Sequence, residues 1–282
     1  VNINTEMNYW PTLMCGLKNC YEPLIRFVQE RCEAGKYTAK SFYRADGFVI
    51  HHNSDIWGYT APVGISTTSG FWSGASGWFC HHLYDYYEYT LDKTYLREIC
   101  YPVMKEAARF YLDILCDRGD GYLAIIPSTS PENTFYAEGD QMVAVCKYAI
   151  MSNTIVYELF ENCIEVIDEL GLADDTFRQE LRNALEQIEP FSIGKDGRMD
   201  EWNEQFRETQ PDHRHLSHLY ALHPAHMITP EKTPEFAESC RKSLEVRGDE
   251  GSGWSRAWKT NLYARLNDGN HALEVMKKQL EF

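Results

Sequence analysis

Helical periodicity dominates the pattern of hydrophobic and polar positions along the chain. Between residues 23 and 43, apolar side chains recur at the three- and four-residue spacing of one helix face, at Leu24, Phe27, Val28 and Cys32. The same spacing predicts helices over residues 77–90, 94–116, 139–170, 175–188, 234–246, 253–266 and 270–280. We expect Pro102 to break the second of these helices. Strand-like patterns are confined to residues 48–51 and 121–126.

Polar, aromatic and glycine-containing loops separate these helices, over residues 47–72, 117–135, 191–225 and 247–253. Helix pairs that alternate with such loops predict an all-α fold of the αα-barrel type, with functional residues in the loops at one end. About eight helices are too few for a closed barrel of six helix pairs. We therefore expect residues 1–282 to form a single barrel domain that is truncated at both ends.

Composition limits the partners. The chain has 282 residues and a formal net charge of −15, which argues against nucleic acid and anionic membrane surfaces. A neutral ligand such as a carbohydrate is compatible with an acidic chain. No stretch is long and apolar enough to read as a membrane span.

The cysteines indicate a reducing compartment. There are nine, none in Cys-x-x-Cys spacing, and six lie in apolar helical patterns: Cys32, Cys100, Cys116, Cys146, Cys163 and Cys240. We expect buried free thiols and hence a cytoplasmic location. The chain begins at Val1 without an initiator methionine or signal-like segment, so we expect an internal piece of a longer protein. A secreted form therefore stays open.

Glu132 is held on a polar segment that follows a short apolar run and is stiffened by Pro131. A carboxylate on such a non-helical segment is typical of a displayed catalytic acid. The alternative is a helix N-terminus, in which Ser130 caps, Pro131 takes the first position and Glu132 complements the dipole. Taken alone, the segment favours the capping interpretation.

Two more segments carry polar groups that packing explains poorly. Asn2 and Asn4 would present two carboxamides on one side of an extended segment, unless they cap a helix that starts near Pro11.

Residues 51–58 read His-His-Asn-Ser-Asp-Ile-Trp-Gly. Adjacent histidines on an extended segment point in opposite directions, which disfavours a metal site. Sugar recognition fits better, with an indole against the apolar face of a pyranose and polar groups on its hydroxyls.

The last two segments lie in the C-terminal third. Glu201 and Trp202 precede a histidine-rich run over 212–220, in which His215 and His218 would share one face of a helix. This pair lacks the His-Glu-x-x-His arrangement of zinc enzymes, so polar lining of a pocket is favoured. A glycine-rich turn then offers Asp249 just before a helix, with helix capping as the equally weighted alternative.

Together these five segments resemble glycoside hydrolase family 95. They read Asn-Ile-Asn-x-x-Met-Asn-Tyr-Trp-Pro (2–11), His-His-Asn-Ser-Asp-Ile-Trp-Gly (51–58), Pro-Ser-x-Ser-Pro-Glu-Asn (127–133), Asp-His-Arg-His-x-Ser-His-Leu-Tyr (212–220) and Arg-Gly-Asp-x-Gly-Ser-Gly-Trp-Ser-x-Ala-Trp-Lys (247–259). The resemblance covers nearly the whole chain, in order. It implies an α-L-fucosidase, chiefly for α-1,2 links, with an (α/α)6 barrel catalytic domain, no cofactor and no metal. Related members accept α-L-galactosides.

The resemblance also assigns roles to residues of this chain. Glu132 would be the general acid, Asn4 with Asn2 would hold the attacking water, and Asp249 would polarise the water-activating amide. A carboxylate that accepts from the amide nitrogen makes the carbonyl oxygen a better acceptor for the water's proton. Glu132 must carry a proton before the reaction, which burial among aromatic side chains would favour. The expected contacts to a fucosylated glycan are His51, Asp55, Trp57, His213, His215 and Trp254.

Domains of the family that this sequence lacks leave the activity open, and so do two other interpretations. The family's enzymes have an N-terminal β domain, linker helices and a C-terminal β domain, and all of these are absent from this sequence. An inverting phosphorylase is a second interpretation, for which Arg247 with Lys259 would be the phosphate site. A non-catalytic glycan-binding αα domain is the third, and the joint presence of Glu132, Asp249 and the two asparagines, Asn2 and Asn4, argues against it.

Overall fold

The structure is a computed structural model that describes residues 3–281 and falls into two compact units. The first unit comprises the residues up to Ile126 together with Ile155–Glu189. The second unit comprises Pro127–Thr154 and the residues from Pro190 onward. Each unit has helices packed around its own buried side chains.

Helices make up most of the first unit. They are α1 (Ile3–Met14), α2 (Glu22–Thr38), α3 (Thr67–Gly70), α4 (Ala75–Thr90), α5 (Lys93–Tyr95), α6 (Tyr101–Ile114), the part of α7 (Ile150–Leu170) from residue 155 onward, and α8 (Asp175–Leu185). Shorter helical turns cover Lys18–Tyr21, Ala39–Tyr43 and Leu96–Cys100. Strand β1 (Leu115–Asp117) pairs antiparallel with β2 (Leu123–Ile125), so the strand expected over 121–126 is present.

The core of this unit lies along α4 and α6. Phe79 and Phe110 are fully buried, and burial of such a side chain stabilises the fold by about 1.5–3 kcal/mol. A Cβ atom on Gly77 would lie 2.4 Å from Cγ2 of Ile155, so glycine lets α4 approach α7 closely.

Two expectations for this unit are wrong. Pro102 does not break a helix, because it lies in the first turn of α6, directly after a π-helical turn. The chain stays helical from Lys93 to Ile114 through the π-helical turn at Leu96–Cys100. Residues 48–51 are irregular, and the apolar run arises because Phe48, Val49 and Ile50 are fully buried.

Short strands and three helices form the second unit. The strands are β3 (Ser128–Thr129), β4 (Phe135–Tyr136), β5 (Met142–Val143), β6 (Val145–Cys146) and β7 (Arg207–Glu208). The helices are α9 (Pro234–Arg247), α10 (Gly253–Arg265) and α11 (Gly269–Leu280). Strand β3 pairs with β6, and β4 lies between β5 and β7, all antiparallel. The helix expected over 139–170 therefore begins only at Ile150, because the preceding residues pair in these ladders.

The cysteine prediction is largely confirmed. All nine thiols are free, and five of the six expected in the core are buried. Cys116 is the exception, since it lies on β1 and is exposed. No helix within residues 3–281 is long and apolar enough to cross a membrane.

A buried histidine gives the first unit a pH-dependent stability. The His81 ring lies 3.0 Å from an oxygen of Glu158 on α7 and 3.3 Å from one of Asp85. Burial disfavours the imidazolium, but attraction to Asp85 and Glu158 outweighs it and raises the pKa of His81 to about 10. The nearby Glu88 acts in the same direction.

We expect this unit to lose stability as pH rises from neutral. An unfolded histidine releases its proton near pH 6.5, so the stabilisation is complete below that pH and is lost by about pH 10. The free energy of unfolding should fall by up to about 1.4 kcal/mol per pH unit between pH 7 and 9. Urea unfolding of His81→Gln should show a flatter dependence, whereas the exposed His226→Gln should follow the wild type. Equal slopes for His81→Gln and wild type would contradict the assignment.

Candidate active site

Glu132 lies on a turn between β3 and β4 and not at a helix start. The capping interpretation is therefore wrong. The hydroxyl of Ser130 donates to Glu201 at 2.7 Å instead of capping a helix. Ser217 donates to the Pro131 carbonyl oxygen at 2.6 Å, which holds the turn from the other side. Pro131 itself restricts the backbone, and Asn133 donates to Glu201 at 3.2 Å, so the turn is held on both sides of Glu132.

The carboxylate of Glu132 faces two cationic or polar groups. It forms an ion pair with the guanidinium of Arg214, and Nε2 of His215 lies 3.6 Å from the same oxygen. The Glu132 side chain is one-fifth exposed (20%), so it is reachable from solvent. The guanidinium favours the ionised form of Glu132, whereas the expected burial among aromatic side chains would favour the protonated form. Arg214 was not among the expected site residues, because its position between histidines does not identify its partner.

Three aromatic side chains form a wall beside Glu132. The rings of His213 and His215 stack at 5.4 Å and 21°, and His215 meets the indole of Trp254 edge-on at 4.6 Å. Burial, with His215 and Arg214 nearby, lowers the pKa of His213 to about 3, so this ring is neutral. The structure thus brings His213, His215 and Trp254 together with Glu132. An indole beside polar rings suits a ligand with both apolar faces and hydroxyls.

His218 does not share a helix face with His215. Only Ser217–Leu219 is helical, as a short 3₁₀ turn, so the expected i, i+3 arrangement is wrong. His218 lies 3.6 Å from Glu201, whereas His215 approaches Glu132. Within the described residues, no group of three or more His, Cys, Asp and Glu side chains is arranged to hold a metal ion.

Asp249 is engaged by two residues of α11. Its oxygens lie 2.8 Å from Nε2 of His271 and 2.7 Å from Nζ of Lys278. Burial opposes ionisation, but the bonds from Lys278 and His271 outweigh it and lower the pKa of Asp249. Asp249 does not cap α10, whose N-cap residue is Ser252. The capping alternative is therefore wrong, and the side chain is held as a carboxylate.

A buried lysine closes the turn that carries Asp249. Lys259 is fully buried, and its ammonium donates to the carbonyl oxygens of Glu250 at 2.5 Å and Arg247 at 3.4 Å. Burial lowers the pKa of Lys259 to about 8. Gly251 has a φ of +142°, and a Cβ there would lie 3.0 Å from Oγ of Ser255. This turn therefore requires glycine.

Asn4 lies on α1 of the first unit and is exposed. The expectation of an extended segment is wrong for Asn4, because α1 begins at Ile3 and buries Ile3 and Glu6 on one side. Pro11 lies within this helix, so no helix starts near it. Asn2 falls outside the described residues. Asn4 and Glu132 belong to different units, and the sugar-sized gap between them stays a prediction.

The first unit also holds three expected substrate contacts. His51 is fully buried, and its ring bonds to the hydroxyl of Tyr43 at 2.6 Å and the Thr60 carbonyl at 2.7 Å. Both ring nitrogens are engaged, so the structure does not support direct contact between His51 and a substrate. Asp55 accepts from the backbone of Trp57 at 2.9 Å, and Trp57 is 86% exposed. Substrate roles for Asp55 and Trp57 stay predictions.

Comparison with known proteins decides the family. The sequence profile of the glycosyl hydrolase family 95 catalytic domain matches residues 1–282. The chain belongs to this family. Family 95 enzymes are six-hairpin α/α-barrel enzymes, which confirms the expected fold class.

Several proteins are similar to this family 95 chain. "Alpha-L-fucosidase 2" of Arabidopsis thaliana is 38% identical over 276 residues, which is 98% of this chain and 33% of that protein. "Probable alpha-fucosidase A" of Aspergillus niger is 28% identical, over 99% of this chain and 36% of that protein. The chain thus spans about a third of the length of these relatives. A solved structure titled "Putative kojibiose phosphorylase from human microbiome" shares the fold, with a TM-score of 0.60 and 10% identity over 88% of this chain and 38% of that one.

The second unit of this family 95 domain presents two carboxylates in different environments. Glu132 is the solvent-reachable carboxylate of the aromatic wall, and two protein segments hold its turn. Asp249 is a separate, ionised carboxylate on a rigid turn. Two carboxylates with different environments are what different catalytic roles require.

Proposed function

We propose that the full-length protein removes terminal α-L-fucose from glycans, with α-1,2 links preferred, by inverting hydrolysis. Membership of family 95 and the fucosidase names of the relatives support a glycosidase that acts on fucose. The observation that carries the proposal is Glu132, held on a fixed turn beside Arg214 and the His215–Trp254 wall.

In the proposed reaction, Glu132 donates a proton to the glycosidic oxygen while a water attacks the opposite face of the sugar. Asn4, with Asn2, orients that water, and the amide carbonyl oxygen of Asn4 accepts the proton that the water loses. Inversion needs room for the water between the acid and the activating group, roughly 6.5–9.5 Å when both are carboxylates. A single displacement of this kind converts an α-fucoside into β-fucose.

One ion pair must change during this reaction. Arg214 favours the carboxylate of Glu132, so substrate binding must weaken that pair before Glu132 acts as an acid. Asp249 keeps its proposed role as acceptor from the asparagine amide. Each of its oxygens accepts one bond, from His271 or Lys278, and a carboxylate can accept about four, so it can take the amide as a further donor.

The contacts of the two cations expected to bind phosphate disfavour phosphorolysis. Lys259 donates to two carbonyl oxygens, and Arg247 is bonded to Glu201 at 2.6 Å and to Glu208 at 2.5 Å. The two residues expected to form a phosphate site are therefore engaged within the protein. A bound phosphate would have to displace carboxylates from Arg247.

Incubation of the full-length protein with 2′-fucosyllactose, with and without phosphate, tests the proposal. We expect free fucose and lactose in both cases, at the same rate. A sugar phosphate that forms only when phosphate is added would identify a phosphorylase instead. Absence of fucose release would contradict the proposed activity, and release of galactose from an α-L-galactoside at a higher rate would change the sugar.

A further inference from the structure

A second carboxylate, Glu201, binds the residues on both sides of Glu132. Ser130 Oγ donates to Oε1 of Glu201 at 2.7 Å. The amide nitrogen of Asn133 donates to both oxygens, at 3.3 and 3.2 Å. Ser130 and Asn133 are each only 1% exposed, and Glu201 is 6% exposed. The proposed reaction gives Glu201 no chemical step.

The other side of Glu201 is equally constrained. Arg247 donates to Oε2 of Glu201 at 2.6 Å, to Glu208 at 2.5 Å and to the Pro211 carbonyl oxygen at 2.6 Å. Arg198 in turn bonds to Glu208 at 2.9 Å. The carboxylate of Glu201 is therefore fixed by a buried ion network.

Arg247 also connects this network to the turn that carries Asp249. It is the last residue of α9, and the glycine-rich turn follows directly. Its carbonyl oxygen accepts from the buried Lys259. One carboxylate, Glu201, thus contacts the Glu132 segment directly and the Asp249 turn through Arg247.

We propose that Glu201 is the positioning residue that orients the general acid Glu132 and links its segment to the Asp249 turn. The proposal rests on the proposed function, in which Glu132 is the acid. Without an acceptor at this place, the donors of Ser130 and Asn133 would be buried and unpaired, which costs more than the hydrogen bonds themselves contribute. The 130–133 turn would then adopt another conformation, and the acid would move relative to the substrate.

Glutamine at this position keeps the shape of Glu201 but not its bonding. The groups of Asn133 and Arg247 that face Glu201 can only donate, so the amide NH₂ of glutamine either opposes one of them or takes the Ser130 hydroxyl as an acceptor, and in each case an existing hydrogen bond is lost. The substitution also removes one negative charge from a network that keeps the positive charge of Arg247. A more positive surrounding favours the ionised form of a nearby acid, so Glu132 should lose its proton at lower pH.

The test compares Glu201→Gln with Glu204→Gln, which changes an exposed glutamate of the same segment. We expect Glu201→Gln to lower kcat on 2′-fucosyllactose by about 10²-fold, the effect of a misplacement of about 1 Å, with KM changed little. The alkaline limb of its pH–rate profile should move to lower pH. Amide hydrogen exchange over residues 128–135 should become faster. Glu204→Gln should match the wild type in all three measurements.

The outcomes separate the two proposals. Wild-type kcat, or a loss of kcat with unchanged exchange over 128–135 and an unchanged pH profile, would overturn the positioning role while the fucosidase activity stands. If the wild type releases no fucose, the proposed function fails. Hydrogen exchange of residues 128–135 alone then decides whether Glu201 holds the turn.

A second variant covers the case in which Glu201→Gln does not fold. The double substitution Ser130→Ala with Asn133→Ala removes the donors on the turn and keeps the Glu201–Arg247 pair. We expect the same fall in kcat and faster exchange, without the shift of the alkaline limb, because no charge is removed. Wild-type activity in this double variant would overturn the proposal.

Discussion

Replacement of Glu132 by glutamine is expected to lower kcat/KM on 2′-fucosyllactose by about 10²–10⁴-fold, the usual contribution of a general acid. Glutamine keeps the length of the side chain and its place on the turn between β3 and β4, but it cannot donate the acid's proton. Lactose is a poor leaving group without that proton. Initial rates of fucose release over a range of substrate concentrations measure the loss.

A substrate with a good leaving group makes this prediction specific. Fluoride departs with little proton assistance, so Glu132→Gln should hydrolyse α-L-fucosyl fluoride at close to the wild-type rate. Glu138→Gln, which changes an exposed glutamate just beyond β4, should be unaffected on both substrates. Near-wild-type hydrolysis of 2′-fucosyllactose by Glu132→Gln would exclude Glu132 as the acid.

Replacement of Asn4 by alanine is expected to lower kcat on both substrates, by about 10²–10⁴-fold. The attacking water must be oriented and activated whichever group leaves, so fluoride gives no relief. Asn8→Ala, an exposed asparagine of the same helix α1, is the matched control and should keep wild-type rates. Hydrolysis of α-L-fucosyl fluoride at the wild-type rate by Asn4→Ala would contradict the role of Asn4.

The helices were predictable where the signals were local. The predicted start of α9 coincides with Pro234, and the predicted end, at residue 246, is one residue short of the observed end at Arg247, which precedes Gly248. Proline and glycine mark helix ends through their own backbone preferences. The start of α7 was not predictable from residues 139–149. They include β5, which pairs with β4, and β6, which pairs with β3. Pairing in a ladder is not visible in a local period of apolar positions.

The site was predictable as a set of segments but not as a set of contacts. The motif around residue 132 supplied the carboxylate that is proposed as the acid, and the motif over 212–220 supplied His213 and His215 beside it. The ion pair of Glu132 with Arg214 joins residues 82 positions apart, and that of Glu201 with Arg247 joins residues 46 positions apart. Only the tertiary fold selects such partners, since many carboxylates and guanidinium groups are available in the sequence. His51 shows the reverse case, because a core histidine and a ligand-binding histidine read alike until burial is known.

Proton NMR of the fucose first released from 2′-fucosyllactose by the full-length protein tests the central claim most directly. Inverting hydrolysis by Glu132 and an activated water predicts that β-L-fucose appears first, with α-L-fucose formed only later by mutarotation. α-L-Fucose as the first product would contradict the single displacement and the pairing of Glu132 with Asn4.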